Sequence, residues 1–270
     1  MDNKINLKKI MKFMKQLSTY KTACVLLLLW NLSSGHAAKG GAEVLLHDIF
    51  IGEEKRGALV YTTAEVYSDE LPGGLMKGPL EITEGAPQGN ALQFLGLTQL
   101  IYFPVKKNID ITGGELSILV KFNFDPQSTN KDNIINNQHI FSIWDTSKGH
   151  TKAGVYWIRT GQFSIVIQEQ GKIMLTKRFS KTISPDKWHR ISLRWGDTIE
   201  IWFDSENEIK TPWEGLFGPI AVDLETTRIM FGTELGYSTI ESQFSLADVT
   251  IKGPKPEVKE NKAQQRTKVF

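Results

Sequence analysis

The sequence predicts an all-β protein, an antiparallel β-sandwich of jelly-roll type. Three observations carry that prediction: about a dozen short segments alternate apolar and polar residues, turn formers separate them, and no helical periodicity is sustained between them. The strand candidates are 58–67, 91–95, 100–103, 115–124, 139–143, 155–159, 162–168, 172–179, 188–195, 199–204, 228–231 and 243–251. Among the turn formers are Pro72-Gly73-Gly74, Gly113-Gly114, Thr160-Gly161, Gln170-Gly171 and Gly218-Pro219. Runs of strands without intervening helices argue for a sandwich or barrel, and this number exceeds what an immunoglobulin sandwich holds.

Residues 1–38 read as a leader. Lys4, Lys8, Lys9, Lys12, Lys15 and Lys21 precede an apolar run from Ala23 to Leu32, and Gly35 and Ala37 occupy the small-residue positions for cleavage after Ala37. An apolar stretch of about ten residues interrupted by Asn31 is too short to cross a bilayer, so no membrane span is expected after cleavage. The single cysteine, Cys24, lies inside this leader, which would leave the exported protein without disulfides and suits a periplasmic or secreted bacterial protein.

Residues 39–253 are expected to form one β-sandwich domain, and residues 254–270 a charged, disordered tail. The stretch 39–85 is hard to divide into strands and is expected to supply a first strand beside the last. In 115–124, alternation gives Leu116, Ile118, Val120, Phe122 and Phe124 as core; in 162–168 it gives Phe163, Ile165 and Ile167. The last strand keeps Phe244, Leu246, Val249 and Ile251 on one face only if a bulge falls at Ala247-Asp248.

The hairpin from Lys181 to Asp204 fixes its own register. With Gly196 to Thr198 as the loop, Leu193 faces Ile201 and Ile191 faces Phe203, so one face is wholly apolar. On the other face Arg194 meets Glu200, Ser192 meets Trp202 and Arg190 meets Asp204, compatible pairs that a one-residue slip would destroy.

Without the leader the chain holds 26 basic and 29 acidic residues. Such a balance leaves no electrostatic footprint for nucleic acid.

Several segments resemble the concanavalin A-like jelly roll in its laminin-G-like branch. They are Asn90-Ala91-Leu92-Gln93-Phe94, Gly114-Glu115-Leu116-Ser117-Ile118, Lys187-Trp188-His189-Arg190-Ile191, Ile199 to Ser205, Phe231-Gly232-Thr233 and Leu246 to Ile251. The resemblance implies a fold that serves both glycan-binding modules and glycan-cleaving enzymes, so function rests on the site. It also implies calcium as a possible cofactor, for which the 125–137 loop offers Asp125, Asp132 and Asn133.

The enzyme readings start from two motifs. Glucanases of this fold carry alternating carboxylates on one strand, which retaining hydrolysis needs about 5–5.5 Å apart. Here Trp202 stands between Glu200 and Asp204, and the hairpin register gives both carboxylates arginine neighbours. Gln138-His139 and Lys152-Ala153-Gly154-Val155-Tyr156 echo motifs of alginate lyases, but Gln138 and His139 are adjacent, only a dozen residues separate the echoes, and no arginine-rich strand accompanies them. His189 falls on the core face and reads as structural, Ser184-Pro185-Asp186 reads as a turn, and no zinc-ligand spacing occurs.

Aromatic residues remain as ligand platforms. Trp144, Trp188 and Trp195 read as core, and Trp157 alternates away from Tyr156. Trp202 lies on the polar face of the hairpin, and Trp213 sits in a loop, Thr211 to Pro219, that carries Phe217 as well. The expected binding surface is Trp202 with Arg190 and Arg194, rimmed by Trp213. The expected function is recognition of a glycan or another cell-envelope ligand without catalysis. The alternatives are a polysaccharide hydrolase or lyase and a structural module that docks a protein partner.

Overall fold

The computed structural model describes residues 42–254, apart from 57, 68–72, 79, 97–98, 125–137, 148–149, 159–160, 186 and 233–241. Among the described residues eighteen strands, numbered in chain order, form two antiparallel sheets. The first runs β16 (Glu206–Pro212), β15 (Thr198–Phe203), β14 (His189–Trp195), β9 (Gly114–Phe122), β18 (Ser242–Lys252), β1 (Val44–Asp48) and β4 (Val66–Tyr67). On the same side of β18 as β1, β7 (Ala91–Gly96) pairs with its first half and carries β6 (Glu81–Thr83). The second runs β13 (Lys172–Ser180), β12 (Gln162–Glu169), β11 (His150–Ile158), β10 (Gln138–Asp145), β17 (Thr227–Gly232), β8 (Leu100–Pro104), β5 (Leu75–Lys77), β3 (Leu59–Thr62) and β2 (Glu53–Arg56).

The core lies between the sheets. Leu116, Ile118, Val120, Phe122 and Phe124 are buried as alternation requires, and they meet Phe163, Ile165 and Ile167 from the opposing sheet. Phe163 stacks on Phe179 and packs edge-on against Phe122, so aromatic contacts bridge the layers. The expected bulge is present: the β18–β9 register shifts between Ala247 and Thr250, Asp248 has φ of 47°, and Val249 and Ile251 return to the core. The first strand also pairs with the last as expected, Leu46 opposite Ile251 and Asp48 opposite Val249.

The hairpin has the register read from its pattern, Ile191 to Phe203, Ser192 to Trp202, Leu193 to Ile201 and Arg194 to Glu200. Beyond it lies β16, which alternation did not find. As a polar strand, Glu-Asn-Glu-Ile-Lys-Thr-Pro, at the edge of the sheet it buries only Ile209 and needs no apolar face. Strands β2, β5 and β6 escaped for the same reason, being three or four residues long and largely exposed or half-exposed.

Candidate functional site

Alternation along β14 turns Arg190, Ser192 and Arg194 outward, and there the side chains form a network that crosses five strands. Arg190 donates through Nη2 to Asp248 at 2.6 Å and through Nη1 to the Ser117 hydroxyl at 2.9 Å. His47 lies 3.2 Å from the other Asp248 oxygen and 3.0 Å from Glu65. Burial opposes ionisation of Asp248, but hydrogen bonds from His47 and Arg190 outweigh it and hold its pKa below the usual value. At the other end of the face, the Arg194 guanidinium lies 4.5 Å above the Trp202 ring and its Nε donates to Glu115 at 3.1 Å.

This geometry corrects the expected ion pairs. Arg194 and Glu200 face each other in register, yet Glu200 pairs with Lys210 at 2.7 Å and accepts from Trp202 Nε1 at 3.0 Å. The Lys210 hydrogen bond holds the Glu200 carboxyl below its ordinary pKa against partial burial. Asp204 has φ of 50° at the end of β15 and takes His189 Nδ1 at 3.0 Å and the backbone N–H of Arg190 at 2.9 Å, leaving the Arg190 side chain to Asp248. Both carboxylates are therefore engaged, each with a different partner. His189 is buried and satisfied, its other ring nitrogen 3.3 Å from the Ser184 carbonyl.

Of the four residues expected at one surface, Arg190, Arg194 and Trp202 share the outward face and Trp213 does not. Trp202 and Arg194 stack together, and Arg190 is held by Asp248 across the sheet. Trp213 lies beyond the opposite end of β15: its N–H donates to the Asp197 carbonyl, whereas Trp202 pairs with Asn207. Five positions along a strand separate those two rows by roughly 16 Å. Trp213 therefore belongs to another site.

That site is a pocket of about 500 Å³ at the loop end of the first sheet, within the size range of small-ligand sites. Three segments build it: the turn between β14 and β15 with Gly196 and Asp197, the approach to β9 with Ile111 and Thr112, and the chain after β16 from Trp213 to Ile220. Backbone bonds knit them together, Gly215 N–H to Gly196 O at 2.6 Å and Leu216 N–H to Ile111 O at 2.8 Å. Trp195 adds its Nε1–H to the Asp110 carbonyl at 2.7 Å, and Thr112 caps the Asp110 carboxylate. Gly218 is required here: its φ is 57°, and a Cβ would lie 2.6 Å from the Trp213 ring. Phe217 is buried, and Trp213 is half-buried against the core, its Nε1–H without an acceptor among the described residues. Asp197 and Glu214 stand exposed at the walls, without a paired cation among the described residues. The sequence signal for this site was the aromatic loop from Thr211 to Pro219; its two carboxylates were not foreseen.

On the outward face of the second sheet, the dozen residues between the two lyase-like motifs prove to be a hairpin. It sets His139 opposite Tyr156, their rings edge to face at 4.5 Å. Gln138 does not join them, because adjacent strand residues point to opposite faces and its side-chain oxygen accepts from the Gln243 N–H at 2.7 Å. On β11 with Tyr156, buried Lys152 has no hydrogen-bond partner for its Nζ among the described residues and lies within electrostatic reach of Asp145. Asp125, Asp132 and Asn133 fall outside the described residues. Among those described, no group of three metal-ligating side chains occurs.

No protein-family model and no curated protein matches the chain. Solved structures do. A botulinum neurotoxin serotype D binding domain aligns with a TM-score of 0.53 at 14% identity, covering 79% of this chain and 49% of that one. A botulinum neurotoxin type C structure, described as showing cell entry dependent on two ganglioside molecules, aligns with a TM-score of 0.53 at 10% identity over 78% and 47%. A Trypanosoma rangeli sialidase aligns with a TM-score of 0.53 at 11% identity over 77% and 30%. The likeness is one of fold. The chain spans about half the length of the neurotoxin structures and less than a third of the sialidase.

Proposed function

We propose that the chain is an exported, non-catalytic recognition module of the concanavalin A-like, laminin-G-like type, and that it binds a glycan in the loop-end pocket walled by Trp213. The observation that carries this reading is the pairing of a half-buried indole with two unpaired carboxylates around about 500 Å³ of open space. Sugars present apolar C–H faces to aromatic rings and hydroxyl donors to carboxylates, and the pocket offers both partners in a cross-linked frame. Neurotoxin and sialidase neighbours supply the ligand class by analogy of fold only. Calcium held by Asp125, Asp132 and Asn133 is part of the proposal. The test is a glycan array probed with the protein in calcium and in chelator; binding in at least one condition supports the reading, and a blank array in both refutes it.

A polysaccharide-cleaving enzyme is the second reading, and the His139–Tyr156 contact on the other sheet is what favours it. A histidine and a tyrosine in contact can divide base and acid roles. Release of unsaturated or reducing ends from polysaccharide, lost in Tyr156→Phe, would establish it.

A further inference from the structure

Resting on the glycan reading, we infer that the Trp213 pocket takes an amino sugar bearing a protonated amine and rejects acidic sugars. The polar side chains in its walls are Asp197, Glu214 and the Thr112 hydroxyl, with no lysine, arginine or histidine among the lining residues. Several carboxylates elsewhere on this sheet have cation partners: Glu200 with Lys210, Glu115 with Arg194, Asp248 with Arg190, and Glu206 and Glu208 with Lys181. Asp197 and Glu214 have no such partner among the described residues. Asp110 stands behind Thr112 as a third carboxylate, accepting both the Thr112 N–H and its hydroxyl, and adds to the negative potential.

The aromatic walls act in the same direction. An indole face attracts an ammonium group through its ring quadrupole, and Trp213 and Phe217 both line the space. A uronate or sialate carboxylate entering here would meet like charge and find no cation to pair with. An ammonium would find two carboxylates and a ring face. Since Asp197 and Glu214 are solvent-exposed, the preference is screened by salt.

The experiment measures binding of three oligosaccharides to the full chain by calorimetry: a glucosamine tetramer at a pH where its amines are protonated, its fully N-acetylated counterpart, and tetragalacturonate. The glucosamine tetramer is expected to bind at least about fivefold more tightly than the acetylated one. That ratio should fall to about one in the Asp197→Asn/Glu214→Gln double variant and shrink in about 0.5 M salt. Tetragalacturonate should not bind. Equal affinities for amine and acetamide, a ratio unchanged in the double variant, or tight binding of tetragalacturonate would overturn the charge selection and leave the glycan reading standing. A blank glycan array together with no binding of any tetramer overturns both.

Discussion

The guanidinium of Arg194 covers the ring of Trp202 at 4.5 Å, while the Trp202 N–H is taken by Glu200. One face of the ring lies under a cation and its only donor is bonded within the sheet, so its partners here are intramolecular. Trp202→Ala should therefore lower stability by about 1–2 kcal/mol, from the lost cation–π contact and lost packing, and leave glycan affinity unchanged. Chemical denaturation followed by intrinsic fluorescence, beside a binding titration, separates the two effects.

Asp248 links Arg190, His47 and the Thr250 hydroxyl from one bulged position. Its loss strands Arg190 and His47, and since those two are part-exposed the cost should fall below that of a fully buried pair, about 2–3 kcal/mol for Asp248→Ala. Asp248→Asn retains the hydrogen-bonding shape and tolerates the positive φ, so it should lose less. A denaturant midpoint shift equal in both variants would contradict the electrostatic account.

The same link makes stability depend on pH. The hydrogen bond to Asp248 raises the His47 pKa above 6.5, against partial burial. The folded state thus favours the imidazolium, and this contribution is fully present below pH 6.5 and lost as pH rises through the raised value. Asp248 behaves oppositely: its lowered pKa supplies stability above pH 3.8 that is lost as pH falls through the lowered value. His47→Gln should flatten the alkaline side of the melting-temperature profile and leave the acid side in place.

Gly218 holds the Trp213 wall. Gly218→Ala places a Cβ against the indole at a φ of 57°, and should cost about 1–3 kcal/mol in strain while shifting Trp213 and weakening ligand binding. A substitution at Gly196, in the β14–β15 turn across the pocket, where a Cβ meets nothing within 4 Å, should cost less stability. Paired denaturation curves for the two alanine variants check the contrast.

Much of this was legible in the sequence where neighbours are local. The hairpin register followed from one apolar set on each strand, and the Ala247-Asp248 bulge followed from Phe244 and Leu246 falling out of phase with Val249 and Ile251. Ion pairing was not legible, because Glu115, Lys210 and Asp248 reach the hairpin face from strands that are remote in sequence or lie beyond the pair. The pocket was hidden for a related reason: it joins residues 111–112, 196–197 and 213–220, and only the aromatic loop among them has a pattern of its own. The lyase-like motifs show the converse. A short spacing that counted against them is what a hairpin needs to set His139 opposite Tyr156.

The most direct test of the account compares glycan affinity of Trp213→Ala and Trp202→Ala with the unaltered protein, using whichever glycan the array identifies. The account predicts a loss of more than about tenfold, or about 1.4 kcal/mol, for Trp213→Ala and none for Trp202→Ala. Full affinity in Trp213→Ala with loss in Trp202→Ala would place the site on the sheet face and contradict it.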